Sequence, residues 1–173
     1  MLATFLVQYP WIAPLSLLCF VVVSPFLGQW LLPRRRLTGA LGLAAAVVVL
    51  ALVFIPTGRE LTVSCIIEWT LPLPRAVEPF ANVVLFVPLA YLGALLLRRP
   101  VVAAGIAIGA SALIEATQAV LPVLGRSCST GDWLANSIGA LIGAGLGWIA
   151  LSLAGRKAGA LAAAHRPGDA RDS

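Results

Sequence analysis

The sequence predicts an all-α fold, a polytopic transmembrane bundle of about five spans with the amino terminus outside and the carboxy terminus inside. Three observations predict it. Of 173 residues, 60% are hydrophobic and only 11% charged, where a soluble domain carries about a quarter of its residues charged. Five apolar runs reach the roughly 20 residues that carry a helix across a bilayer. The basic residues fall in short clusters between those runs, the pattern of topology signals at a membrane surface.

The spans lie at about 11–32, 37–56, 79–97, 100–122 and 133–154. The first contains Pro14 and Pro25, so it is expected to be kinked or re-entrant. Its leading residues, MLATFLVQYPW, lack the basic region and small-residue cleavage site of a signal peptide, which favours a retained span. The second, LTGALGLAAAVVVLALVFIP, holds no charge and reads as lipid-facing. The third opens with Pro79 in its first turn, where a missing N–H costs nothing, and Pro88 should bend it. Asn82, Phe86, Leu89 and Gly93 form its expected packing stripe. On the fourth, Gly105, Gly109, Ala112 and Ala116 make a stripe of small residues suited to close helix contact. The fifth starts with Ser129 or Asp132 as N-cap and carries Gly139, Gly143 and Gly147 as a second such ladder.

Alternate loops carry very different charge. One side holds Arg34, Arg35, Arg36, Arg98, Arg99, Arg156, Lys157, Arg166 and Arg171, and the other Arg59, Arg75 and Arg126, nine against three. By the positive-inside rule the richer side is cytoplasmic. Residues 1–157 then form one bundle, followed by a polar cytoplasmic tail at 158–173 that is expected to be disordered. The lone His165 reads as a solvated residue of that tail. The net charge of +5 does not indicate nucleic acid, because no continuous basic face exists.

The loop TGRELTVSCIIEWTLPLPRAVE is too polar for a span and too long for a turn. Its Ile66, Ile67, Trp69, Leu71 and Leu73 suggest a segment lying in the interface or capping the bundle. Cys19 reads as a small buried apolar residue. Cys65 and Cys128 both fall in outward loops, where oxidation is permitted. They are expected to form a disulfide, the alternative being two unpaired thiols.

Within the oily stretch SALIEATQAVLP stand a glutamate and a glutamine. At 100° per residue, Ser111, Glu115 and Gln118 share about 60° of the helix surface. A charge at mid-bilayer costs about 3 kcal/mol, so Glu115 should face the bundle interior. Topology puts Glu115 about 10 Å and Gln118 about 6 Å below Pro122. Asn82, Asp132 and Asn136 reach similar depths from neighbouring helices, and Arg126 lies in the short loop between. Such residues commonly act only as interhelical glue, but glue has no need to gather at one depth.

The run from NVVLFVPLAYL through SALIEATQAVLP to GRSCSTGDWLANSIGALIGAGLGW resembles the VanZ-like family of small bacterial membrane proteins. The matching residues are Asn82, Phe86, Pro88, Glu115, Gln118, Pro122, Arg126, Asp132, Asn136 and Gly139, and the likeness covers about residues 79 to 150. Where relatives carry polar residues before the third helix, LPLPRAVE offers only Arg75 and Glu78. The resemblance implies a multi-pass protein of the bacterial plasma membrane. It also implies envelope work linked, for the family's namesake, to resistance against the glycopeptide teicoplanin.

Two functions fit these residues. In the first, Asn82, Glu115, Gln118, Arg126, Asp132 and Asn136 bind a membrane lipid, a lipid-linked envelope molecule or a glycopeptide. Arg126 then grips a phosphate or carboxylate by paired hydrogen bonds. In the second, Glu115 and Asp132 are catalytic, an acid/base pair for hydrolysis or transfer on a lipid-linked substrate. No nucleotide loop and no zinc-ligand set is present, so no cofactor and no metal are expected.

Overall fold

The computed structural model describes residues 8–55, 65–121, 125 and 127–164. Along these the elements are α1 (Ile12–Leu31), α2 (Arg35–Phe54), β1 (Cys65–Ile66), α3 (Val77–Leu97), α4 (Pro100–Val120), β2 (Cys128–Ser129) and α5 (Thr130–Ala164). All five helices are long and apolar enough to cross a membrane. The fold is the predicted helical bundle.

The first span is a continuous helix despite Pro25. The proline ring leaves the Val21 carbonyl without its usual amide partner. The Ser24 hydroxyl donates to that carbonyl at 3.0 Å, the kind of repair that lets proline persist in membrane helices. The Tyr91 hydroxyl of α3 donates to the Ser24 carbonyl in turn, which locks α1 against α3. Gly28 makes the approach possible, since a Cβ there would meet the Tyr91 hydroxyl and Ala150.

At the basic end, Thr38 Oγ1 donates to the Leu31 carbonyl at 3.0 Å and Arg34 donates to the Trp30 carbonyl at 2.6 Å. The first adds to a carbonyl that also takes the Arg34 amide at 2.8 Å, and the second satisfies one that the end of α1 leaves open. The Arg34 guanidinium also lies 4.3 Å above the Trp30 ring. Arg98 turns into the left-handed region, φ 53°, to end α3, and Pro100 starts α4, whose first turn needs no proline N–H.

The helix α3 is the most enclosed of the five, and α2 the least. One core cluster joins Leu31, Val83, Val87, Tyr91 and Ala150 of α1, α3 and α5. The other joins Val49, Phe86, Ala90, Ala107 and Ile114 beneath α2, α3 and α4, with Ala140 of α5. The predicted glycine ladder of α5 sits on α3. A Cβ at Gly139 would collide with the Val83 carbonyl and one at Gly143 with the Val87 carbonyl.

Four readings need amendment. The small-residue stripe of α4 does not pack on the described residues: Gly105 and Gly109 have none of those residues' atoms within 4 Å of a would-be Cβ. The bulkier-flanked face bearing Ala103, Ala107, Ser111 and Ile114 is buried instead. On α3, the stripe Phe86, Leu89 and Gly93 faces the space between α2 and α4, while Val83, Val87 and Tyr91 meet α5. The last helix also outruns its predicted span. It reaches Ala164, so residues 158–164 of the expected polar tail are helical. Cys19 is exposed on α1, not buried, because α1 presents that side away from α3 and α5.

At the end opposite the basic loops, β1 and β2 pair in parallel with Cys65 beside Cys128, their Cα atoms 4.4 Å apart. From β1 the chain runs on with Ile67, Trp69, Leu71 and Leu73 exposed, the presentation an interfacial segment requires.

Candidate functional site

The polar groups gather where α3 and α5 begin and α2 and α4 end. Ser129 is the hub. Its hydroxyl accepts the amides of Gly131 at 3.1 Å and Asp132 at 3.3 Å, which makes it the N-cap of α5. Its own amide donates to Glu115 Oε2 at 2.8 Å, a buried bond between α4 and the start of α5. Because Ser129 does the capping, the Asp132 carboxylate is released for other contacts. It accepts the Asn82 side-chain amide at 2.8 Å and so ties α5 to α3.

One turn deeper, Asn136 Nδ2 donates to Ser111 Oγ at 2.9 Å. Asn136 is 4% exposed, and its Oδ1 has no hydrogen-bond partner among the described residues. Buried carbonyl oxygens of this kind normally hold a water or another donor. Gln118 turns aside: its amide donates to the Val53 carbonyl of α2 at 3.4 Å and closes the gap between α2 and α4.

Glu68 is the residue that sequence reasoning missed. It follows β1, and Thr130 holds its backbone from both directions. The Glu68 amide donates to Thr130 Oγ1 at 2.8 Å, and that hydroxyl donates to the Glu68 carbonyl at 2.7 Å. This holds Glu68 Oε1 3.4 Å from the Ser129 hydroxyl, which donates to it. A cue was available. Pairing Cys65 with Cys128 places a residue three positions on beside Thr130. Trp69 stands edge-on to Trp133 at 6.3 Å and walls the same corner.

Three carboxylates, Glu68, Glu115 and Asp132, thus surround the N-terminal turn of α5, where the helix dipole favours negative charge. Asn82, Glu115, Asp132 and Asn136 are brought together with Ser111. Arg126 and Pro122 lie outside the described residues, as do Arg59 and His165. Arg75 is exposed on the approach to α3, and Glu78 is exposed in its first turn. Among the described residues no group of three His, Cys, Asp or Glu side chains is placed to hold a metal ion. The cluster can accept hydrogen bonds from a ligand at several oxygens and can offer side-chain amides in return.

The VanZ/LLP1 family profile matches residues 11–151. Neither a curated protein nor a solved structure matches the chain. The family match begins with α1, so it takes in the first two helices as well as the polar end that carried the resemblance. With most of its length covered from residue 11 to 151, the chain belongs to the VanZ/LLP1 family.

Proposed function

We propose that this multi-pass protein lies in the bacterial plasma membrane, N-out and C-in, and binds the headgroup of an envelope amphiphile at its polar end. The observation that carries this reading is the buried Asn136 Oδ1 with no described partner, set beneath a ring of carboxylates and amides drawn from separate helices. An acceptor that deep is costly unless a donor fills it. A headgroup hydroxyl or amine, or a water that such a group displaces, supplies one. Arg126 is assigned the anionic part of the ligand, and Asn82 and Asn136 its orientation, while Gln118, turned to α2, is left out of it. A Cys65–Cys128 disulfide holds the Glu68 segment over the site. Teicoplanin-type resistance is the cellular consequence where the bound molecule is an envelope lipid or the lipid tail of the glycopeptide.

One contact favours a second reading, an acid/base hydrolase or transferase. The Ser129 hydroxyl donates to the Glu68 carboxylate with Glu115 on the neighbouring amide, a nucleophile beside a base. The hydroxyl is already committed to capping α5 through two amides, which favours binding over catalysis.

The test compares Glu115→Gln with Arg126→Ala. Native mass spectrometry follows the co-purifying lipid, and lipid profiling follows cells with and without the protein. Binding predicts that lipid retention and teicoplanin tolerance survive Glu115→Gln and fall in Arg126→Ala, with the cellular lipids chemically unchanged. A new lipid species that vanishes in Glu115→Gln would establish the enzyme instead.

A further inference from the structure

A cavity of about 310 Å³ lies between α2 and α4, with α3 as its floor. Phe86, Ala90 and Ala107 are buried beneath it, while Leu50, Leu97 and Ile106 stand exposed at its mouth. The mouth opens sideways between two membrane-spanning helices, where the surrounding medium is hydrocarbon. Alanine and glycine line much of the wall, so the space is left open rather than filled from within. Left empty, such a void forfeits packing along its whole lining.

Its dimensions choose the occupant. Along α4 the lining runs from Ala103 to Ile114, about 17 Å at the helical rise. A groove of that length with apolar walls from three helices accommodates an extended hydrocarbon chain lying along them.

The cavity is also continuous with the polar end. Each helix that walls it carries a polar-end group one turn beyond its last lining residue. Leu50 on α2 leads to Val53, whose carbonyl takes Gln118. Phe86 on α3 leads to Asn82, and Ile114 on α4 leads to Gln118 and the adjacent Glu115. A tail in the cleft therefore ends beneath the polar cluster.

We propose that this cleft holds one acyl chain of a membrane glycerophospholipid, entered sideways from the bilayer. Only the placement of its headgroup rests on the function proposed above. The cleft itself stands on shape and lining.

The experiment reconstitutes the full chain in vesicles of phosphatidylethanolamine and phosphatidylglycerol. A trace of phosphatidylglycerol carries a diazirine within one acyl chain. After irradiation, labelled residues are mapped by peptide mass spectrometry. The label should concentrate on 86–93 and 103–114, severalfold above the lipid-exposed α1 residues Val22 and Phe26. Ala107→Phe, which fills the cleft, should lower that label severalfold and leave the α1 label unchanged. Ala110→Leu repeats the test if Ala107→Phe fails to fold. Equal labelling of the cleft and α1, or cleft labelling untouched in the filled variants, overturns the proposal. So does a polyprenyl phosphate that displaces the label more effectively than unlabelled phosphatidylglycerol. A dimer in native mass spectra with an unlabelled cleft, the mark of a second copy seated there, overturns it as well. Asn136→Leu separates the two readings. Cleft label that persists in this variant sustains the acyl site even if headgroup selectivity is found absent.

Discussion

The Glu115 carboxylate of α4 accepts the backbone amide of Ser129 at 2.8 Å, and this one bond joins the end of the fourth helix to the start of the fifth. Glu115→Leu strands a buried donor, which should cost about 1–3 kcal/mol. Glu115→Gln keeps an oxygen in place and should cost about 1 kcal/mol or less. Thermal unfolding in detergent should rank the two variants in that order. Equal losses would mean that the bond contributes nothing.

The α3–α5 contact predicts opposite outcomes for two glycines on one helix. Gly143→Ala drives a methyl into the Val87 carbonyl, a rigid neighbour, and should destabilise by about 1–3 kcal/mol. Gly145 has nothing within 4 Å, so Gly145→Ala should be neutral or gain up to about 1 kcal/mol from helix propensity. Melting curves of the pair check this without reference to function.

If Cys65 and Cys128 are bridged, non-reducing mass spectrometry will find no alkylatable thiol at either, while Cys19 reacts. Their separation is 63 residues, and loop-closure arithmetic then gives the bridge about 4 kcal/mol. Reduction, or Cys128→Ser, should lower the melting temperature and expose the chain near Glu68 to protease. Two alkylated thiols in the untreated protein would end the idea.

Tyr91→Phe deletes the hydroxyl that meets the Ser24 carbonyl beside Pro25 and keeps the edge-on contact with Phe20. The expected loss is about 1 kcal/mol. It should appear as looser docking of α1, read by faster labelling of a cysteine placed at Ser24. Labelling at the wild-type rate would show that the ring alone holds α1.

Most of the fold could be read from the sequence because lipid leaves few choices. Apolar runs of sufficient length must be helices, and each of the five spans is one. The polar end was legible for a related reason. Ser111, Glu115, Asn82, Asp132 and Asn136 each interrupt an apolar face at helical spacing, and the structure pairs Asn82 with Asp132 and Ser111 with Asn136 and sets Glu115 on the Ser129 amide. Which small-residue stripe packs was not legible. The glycines of α4 and α5 have the same spacing, and only the partner surface on α3 distinguishes them. Glu68 was hidden for a different reason. It stands in a loop with no periodicity, and its partner Thr130 lies 62 residues away. The length of α5 was missed because its alanine-rich end is helical without being long-run hydrophobic.

The central place of α5 has a consequence for how the protein is made. Its contacts reach α1, α3 and α4, yet it is the last of these five helices to leave the ribosome. Until it arrives, Asn82 lacks Asp132, Glu115 lacks the Ser129 amide and Ser111 lacks Asn136, all within or beside the bilayer. The first four spans must therefore wait in the membrane as loosely held, partly polar helices. The bundle then closes in a single step, and a chain stalled before it would offer quality-control proteases an unpaired glutamate in the membrane.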